Sequence, residues 1–442
     1  MENNISRRAF LSVAAAGGAS ASLGLSSARA QGKRNLLFWH YYTQPERVNY
    51  LKKMIGIYQS KNPGVNISVE SMPYPTVVDR LAAARPADAL PDLLIHGAGT
   101  AIPLIASGDL VPVDDIVKQL GGEDAFQPGV LKHMSLYQGH YLSLPHYLGT
   151  RILIYRKDRL SKSGLKVPTS WDDFQKVAVA LTSSPKYYGY IPQLSKSDIG
   201  GSVVLYPMAL SAGGTFFNAK GDVSFNSAPV TEATEVLVEL IRKAGGPGVF
   251  TYNINDNFNL VNSGKTSMTQ DASAIVAVAA AKAPEVGEQL DAALFPHKNK
   301  PAHLLQGGSL MVLNGQNKNP KDAADFATFL MQPDNLVEFL HTIPLFMLPG
   351  TKAAAGKAFY DNPVIAKHRS VAEVSVQALQ TAYLYGCDDG INAFAGPVEN
   401  SHIVEEMLAR IVLNKVKVAD AVAIAHDQMA DLTKTLKRRL RL

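Results

Sequence analysis

Short apolar runs alternate with longer amphipathic stretches along most of this chain. Leu36-Leu37-Phe38-Trp39-His40 has the length and aromatic content of a buried strand. Over residues 47–60, Val48, Leu51, Met54, Ile55 and Tyr58 recur at helical spacing, and Asn62-Pro63-Gly64 stops that helix. Residues 65–69 alternate as a strand. Residues 92–96 make another short buried strand between Pro91 and the loop Gly97-Ala98-Gly99-Thr100. Leu153-Ile154-Tyr155 is a further strand, and Ser170 with Asp173 three residues on marks a helix start. Residues 230–244, 320–331 and 402–413 are amphipathic helices. The alanine-rich stretch 272–283 predicts a helix packed closely on a neighbour. Strand, helix and strand in this order predict an α/β fold with parallel sheets covered by helices. No internal repeat or long low-complexity linker interrupts the pattern after the first thirty residues, so compact domains joined by short crossings are expected.

The N-terminus breaks that pattern. Ser6-Arg7-Arg8-Ala9-Phe10-Leu11, an Ala/Gly/Ser/Leu-rich run over 11–27 and Ala28-Arg29-Ala30 predict a twin-arginine export signal over residues 1–30, cut after Ala30. Gly17, Gly18 and several serines leave the run too weak for a membrane span. The expected address is the periplasm, reached through the twin-arginine export machinery and lacking nucleotides. The single cysteine, Cys387, excludes an intramolecular disulfide and a cysteine-based metal site. It reads as a small buried residue, and no thiol near the cleavage site is offered to a lipid, so a soluble protein rather than a lipoprotein is expected. The rest of the chain exceeds what one hydrophobic core organises, which predicts two lobes. The formal charge is +5, and part of it sits in Lys434, Lys437, Arg438, Arg439 and Arg441, read as a solvated helix end. Basic residues and aromatics are not interleaved, so no nucleic-acid partner is expected.

Several short motifs follow one another along the chain. They begin with Phe38-Trp39-His40, Asn62-Pro63-Gly64-Val65 after Tyr58, Pro91-Asp92-Leu93-Leu94, and Ala106-Ser107-Gly108-Asp109-Leu110-Val111-Pro112. Leu144-Pro145, Ile154-Tyr155-Arg156-Lys157-Asp158, Gly164-Leu165 and Pro168-Thr169-Ser170-Trp171-Asp172-Asp173-Phe174 come next. Ala212-Gly213-Gly214, Ser263-Gly264-Lys265-Thr266-Ser267-Met268, Gln306-Gly307-Gly308-Ser309 and Asp322-Ala323-Ala324-Asp325-Phe326 complete the series. In this order the chain resembles the extracytoplasmic solute-binding proteins of ABC importers, in the family that contains the maltose-binding protein. The resemblance implies a two-lobed periplasmic-binding-protein fold of type II. Each lobe would be a mainly parallel mixed sheet flanked by helices, with the ligand cleft between the lobes. It puts one lobe at 31–148, completed by 306–334, and the other at 149–305, completed by 335–442. The crossings fall near Leu148-Gly149-Thr150, Leu304-Leu305 and Asp334. It further implies a monomer that captures a sugar or polyol by lobe closure and delivers it to permease subunits in the inner membrane. No cofactor, metal or catalytic residue is expected.

Sugars need flat apolar faces for their C–H surfaces and planar polar groups for their hydroxyls. The loops that the family uses offer Trp39, His40, Tyr41, Tyr42 and Gln44 after the first strand, Tyr74 after the second, and His96 with Thr100 after the next. His146 and Tyr147 follow Leu144-Pro145, Tyr206 precedes Ala212-Gly213-Gly214, and Asp271 follows Met268. Gln306, Gly307 and Ser309 lie on the return crossing, and Phe346 in the loop 342–346. One of Tyr41 and Tyr42 should turn inward and the other to the cleft. Asp271 is the expected acceptor of paired hydroxyls, Gly307 and Gly308 are positions of close backbone approach, and Trp171 is packing. Maltose-type proteins carry an aromatic platform shortly after the position of Met268, whereas here the stretch is Asp271-Ala272-Ser273-Ala274. That departure favours a smaller or differently oriented ligand: a monosaccharide, disaccharide, polyol or polyol phosphate. Few basic residues fall on these loops, Arg151 being the nearest, which weighs against the phosphate.

Gly264-Lys265-Thr266 lacks the glycine that a phosphate-binding loop needs five residues earlier, where Asn259 stands, and is assigned to packing at a helix start. No metalloprotease, nucleophile-elbow or dinucleotide-binding motif occurs. Two alternatives belong to other classes. An exported carbohydrate-active enzyme would need two carboxylates facing one pocket. A ferric-ion-binding protein of the same fold would use adjacent tyrosines such as Tyr41-Tyr42 or Tyr187-Tyr188.

Overall fold

A computed structural model describes residues 33–440 apart from 317 and 319, so the expected export signal lies outside the described residues. Helix Pro45–Lys61 begins with Pro45, whose missing N–H costs nothing in a first turn. It stops at Asn62, whose N–H returns to the carbonyls of Tyr58 and Gln59. Its buried stripe is Arg47, Tyr50, Leu51, Met54 and Tyr58. The Tyr58 ring meets Phe326 of helix Pro320–Leu330, which in turn meets Phe38 of the first strand. Burying each such ring contributes roughly 1.5–3 kcal/mol, and a first core grows from this contact.

The strands in chain order are β1 (Arg34–His40), β2 (Val65–Ser71), β3 (Leu93–His96), β4 (Leu110–Val111), β5 (Leu136–Tyr137), β6 (His140–Tyr141) and β7 (Leu144–Thr150). They continue with β8 (Ile152–Arg156), β9 (Tyr188–Tyr190), β10 (Thr266–Asp271), β11 (Leu290–Ala293), β12 (His303–Leu313) and β13 (Ala382–Leu384). One sheet runs β13-β12-β3-β1-β2, with β4 and β7 also paired to β12. The other runs β11-β8-β10-β9, and β5 with β6 forms a small hairpin. Both sheets are mixed, as expected, but parallel pairs are not the majority. In the first, β1 is parallel to β2 and β3 and β12 to β13, while β3, β4 and β7 run antiparallel to β12. In the second only β10 and β9 are parallel. The reason is the traffic between sheets: β7 runs out and β12 runs back beside it, and such a return is antiparallel.

Two principal cores follow the two sheets. A single residue, Arg151, separates β7 in the first sheet from β8 in the second. On β12, Leu304 belongs to the second core and Leu305 to the first. The passage expected near Asp334 falls elsewhere. Helix Pro333–Leu340 keeps Leu336, Phe339 and Leu340 in the first core, and Phe359 and Ile365 follow them there. Helix Arg369–Ala378 then bridges, with Ala372 in the first core and Val371 and Ala378 against Ile152 and Ile154 of β8. Only from Tyr385 onward do Cys387, Phe394 and the last helices join the second core. The break before Pro333 is a turn between two helices of one lobe.

Among the other expectations, Ser170 caps helix Trp171–Ala180, its Oγ accepting from the Asp173 N–H, and Trp171 is buried packing. The alanine-rich helix Ala274–Lys282 meets the next turn so closely that a Cβ on Gly287 would lie 2.4 Å from the Ala280 backbone. Gly264-Lys265-Thr266 does not start a helix. It is the turn from helix Ile254–Asn262 into β10, and Gly264 takes φ +67° there. Cys387 is buried, and burial pushes its thiol up to about 12. Among the described residues no helix is long and apolar enough to cross a membrane.

Candidate functional site

The C-terminal ends of β1 and β3 and the strand β7 bring one aromatic cluster together. The hydroxyls of Tyr41 and Tyr147 are hydrogen-bonded at 2.6 Å. Tyr41 presents its edge to Tyr74 and His96 at 5.1 and 5.9 Å, and Tyr74 stacks on His96 at 4.0 Å. His96 lies between the Tyr74 carbonyl at 3.1 Å and the Thr100 hydroxyl at 2.6 Å. A carbonyl only accepts, so Nε2 carries the hydrogen and Nδ1 accepts from Thr100. Behind this layer Tyr42 meets His146 Nδ1 at 3.3 Å and stacks on His40, and His146 stacks on Phe339.

Tyr42 is the inward member of the tyrosine pair and Tyr41 the half-buried one. Tyr74 keeps 49% of its surface exposed, which leaves a ring face available to a ligand. Gln44 is exposed at the helix start. Trp39 is buried in the first core under the Arg80 guanidinium rather than open as a platform. Burial holds the imidazoles of His40 and His96 down to about 4 and that of His146 to about 3, so all three are neutral near pH 7.

β12 closes the cluster from the other side. A Cβ on Gly307 would lie 2.2 Å from the Tyr147 carbonyl oxygen, and one on Gly308 would lie 2.6 Å from the Tyr147 ring and 2.8 Å from the Tyr41 hydroxyl. The two glycines therefore serve close approach. Ser309 is fully buried, its Oγ without a partner, and Phe346 packs half-buried 6.4 Å from Tyr147.

Two expected residues do other work. Asp271 is 1% exposed and engaged on both oxygens: Oδ1 accepts from Arg151 and the Ala272 N–H, and Oδ2 from Gln193 and Asn257. Arg151 also donates to Gln306, so this carboxylate anchors the crossing between sheets. Tyr206 lies in the second core against Phe216 and Tyr385, its hydroxyl donating to Asp388, and does not join the cluster. Helix Gly200–Ala212 is buried on every side, so periodicity could not tell which way Tyr206 points.

Arg47 was missed. Its guanidinium sits 5.3 Å from the Tyr42 ring centroid and 5.4 Å from that of Tyr147. The sequence signal was its place one helical turn ahead of Tyr50 and Leu51 on the buried stripe. The cluster thus offers ring faces, hydroxyls and neutral imidazoles beside one cation. Among the described residues no group of three or more His, Cys, Asp or Glu is placed to hold a metal ion.

Residues 43–336 match the family described as bacterial extracellular solute-binding protein. The chain is 23% identical over 424 residues to the putative ABC transporter periplasmic-binding protein YcjN of Escherichia coli, covering 92% of this chain and 95% of that one. It is 27% identical over 357 residues to the sn-glycerol-3-phosphate-binding periplasmic protein UgpB of Escherichia coli, with 75% and 78% covered. The solved sugar-binding protein MalE of Xanthomonas citri superposes with a TM-score of 0.78 at 18% identity, over 92% of this chain and 99% of that one. That likeness extends the common fold to both lobes.

Proposed function

Because the chain belongs to the bacterial extracellular solute-binding protein family, we propose that it is the capture subunit of an ABC importer, taking a sugar or polyol between its lobes. It works in the periplasm as a monomer, after export through the twin-arginine signal around Arg7-Arg8, and hands its ligand to the permease in the inner membrane. The observation that carries this reading is the cluster of Tyr41, Tyr74, His96 and Tyr147, gathered from the segments that follow β1 and β2, the end of β3, and β7, which leads into the one-residue crossing at Arg151. Ring faces there suit C–H surfaces and the hydroxyls suit sugar hydroxyls. A ligand touching both lobes favours the closed arrangement by its differential affinity, and the permease reads that difference.

A thermal-shift screen of the protein against monosaccharides, disaccharides, polyols and their acids tests this directly. A ligand at a hundred times its Kd adds about 2.7 kcal/mol of stability, and a clear rise in Tm is expected for at least one member. Tyr41→Ala should weaken that ligand by about tenfold or more, the scale of one stacking or hydrogen-bonding contact. A screen with no shift for any small solute sinks the reading.

A further inference from the structure

Arg47 carries a charge into the first lobe, and among the described residues no ion pair neutralises it. It is 4% exposed, and its Nε is enclosed without a hydrogen-bond partner. Among the described residues no carboxylate pairs with it, whereas Arg151 is held by Asp271 and Arg80 by Glu70. Its company is the faces of Tyr42 and Tyr147, whose hydroxyls are taken up by His146 and Tyr41. Contact with neutral rings offsets only part of the cost of removing a guanidinium from water.

A second feature points the same way. Arg47 lies in the first turn of the 17-residue helix Pro45–Lys61, and the residue ahead of that helix, Gln44, makes no side-chain capping bond. The backbone N–H groups of Glu46 and Arg47 find no backbone acceptor there, the first return bond being Val48 to Gln44. A helix end with open N–H groups is electropositive and favours an anion. The open helix end and the unpaired guanidinium belong to the same first turn, and the guanidinium lies over Tyr42, which follows β1, and over Tyr147 of the cluster.

Resting on the capture reading above, we propose that the ligand is an acidic sugar or polyol whose carboxylate or phosphate is seated against Arg47 while its hydroxyls meet the Tyr41–Tyr147 pair. The charge on Arg47 then selects against the neutral parent compound, because only the acid relieves it.

Calorimetric titration of the protein with matched ligands tests this: glucose, glucuronate and glucose 6-phosphate, then glycerol, glycerate and glycerol 3-phosphate. At least one acid should bind about tenfold or more tightly than its neutral parent, the loss expected for one charge-assisted hydrogen bond, and its affinity should fall as salt is raised. The carboxylate and phosphate arms identify which oxyanion is taken. Arg47→Met should abolish the preference, while ligand-free R47M melts no lower than the parent protein, since a buried unpaired charge has been removed. If R47M does not fold, the comparison of acid with neutral parent in the unaltered protein still decides. Neutral sugars or polyols that bind as tightly as their acids, with or without Arg47, overturn the proposal and leave the capture reading standing. If no sugar, polyol or acid binds at all, the capture reading falls and this proposal with it.

Discussion

Asp271 holds together three side chains from distant parts of the chain and the N–H of its own neighbour, and its removal should be felt as instability before it is felt as lost affinity. Asp271→Ala leaves Arg151 unpaired at the crossing, and breaking a buried pair on one side costs about 3–5 kcal/mol. Chemical denaturation should show that loss, and Arg151→Met added to D271A should recover much of it; a single variant as stable as the parent contradicts the anchoring role. The buried imidazoles give a second prediction at this scale. Above pH 6.5 they are neutral folded or unfolded and contribute no pH dependence. Below it the unfolded chain takes protons that folded His40 and His96 refuse until about pH 4 and His146 until about pH 3. Their contribution therefore falls as pH drops from 6.5 towards 4. The urea midpoint should fall over that interval, and His146→Phe should flatten part of the fall; a midpoint constant from pH 7 to 4.5 argues against it. The aromatic residues of the candidate cluster could be named from the sequence because the family resemblance pointed to the loops that carry them and a sugar needs rings to stack on. Arg47 could not, because arginine near a helix start is ordinarily solvated. Asp271 misled because a short acid looks the same whether it awaits a hydroxyl or already holds an arginine.

β12 shows what an element adds to its residues. Gly307→Ala would press a methyl against the Tyr147 carbonyl, which the paired strand holds in place. Gly308→Ala would press against the Tyr147 ring, which can swing aside. Overpacking costs about 1–3 kcal/mol, so G307A should lower the melting temperature more than G308A. G308A should instead disturb the Tyr41–Tyr147 pair and weaken ligand binding; equal melting temperatures would show that the strand gives way at both positions. Elements with continuous apolar runs, such as β1, β3 and β8, were plain in the sequence, as was the helix that Ser170 caps. β12 was legible only as a crossing, since Gln306-Gly307-Gly308-Ser309 breaks its apolar run. Strands of three residues, β9 and β13, carry too few positions to show a period, and Pro207 obscures helix Gly200–Ala212.

At the scale of the molecule, two cores follow from length, while the path between them depends on packing that no local pattern reports. Residues 335–379 were expected in the second lobe, yet their apolar side chains fill the first and one face of the bridging helix. The first sheet depends on strands far apart in sequence: β12 pairs with β3, β4, β7 and β13. A fragment of residues 33–150 should therefore fail to fold, and circular dichroism with a broad, uncooperative melt would show it; a sharp transition would mean that β1, β2 and β3 suffice alone. The place of β12 also sets a clock for synthesis. A ribosome must release β12 through residue 313, and then the core residues that follow as far as β13, before the first lobe can be completed, although that lobe begins to emerge first. During that interval the newborn chain displays the unpaired edge of β3 and a half-covered apolar face, an invitation to chaperones and to misassociation. The half of the protein made first is thus finished late, and its safe assembly depends on what the cell holds it with while it waits.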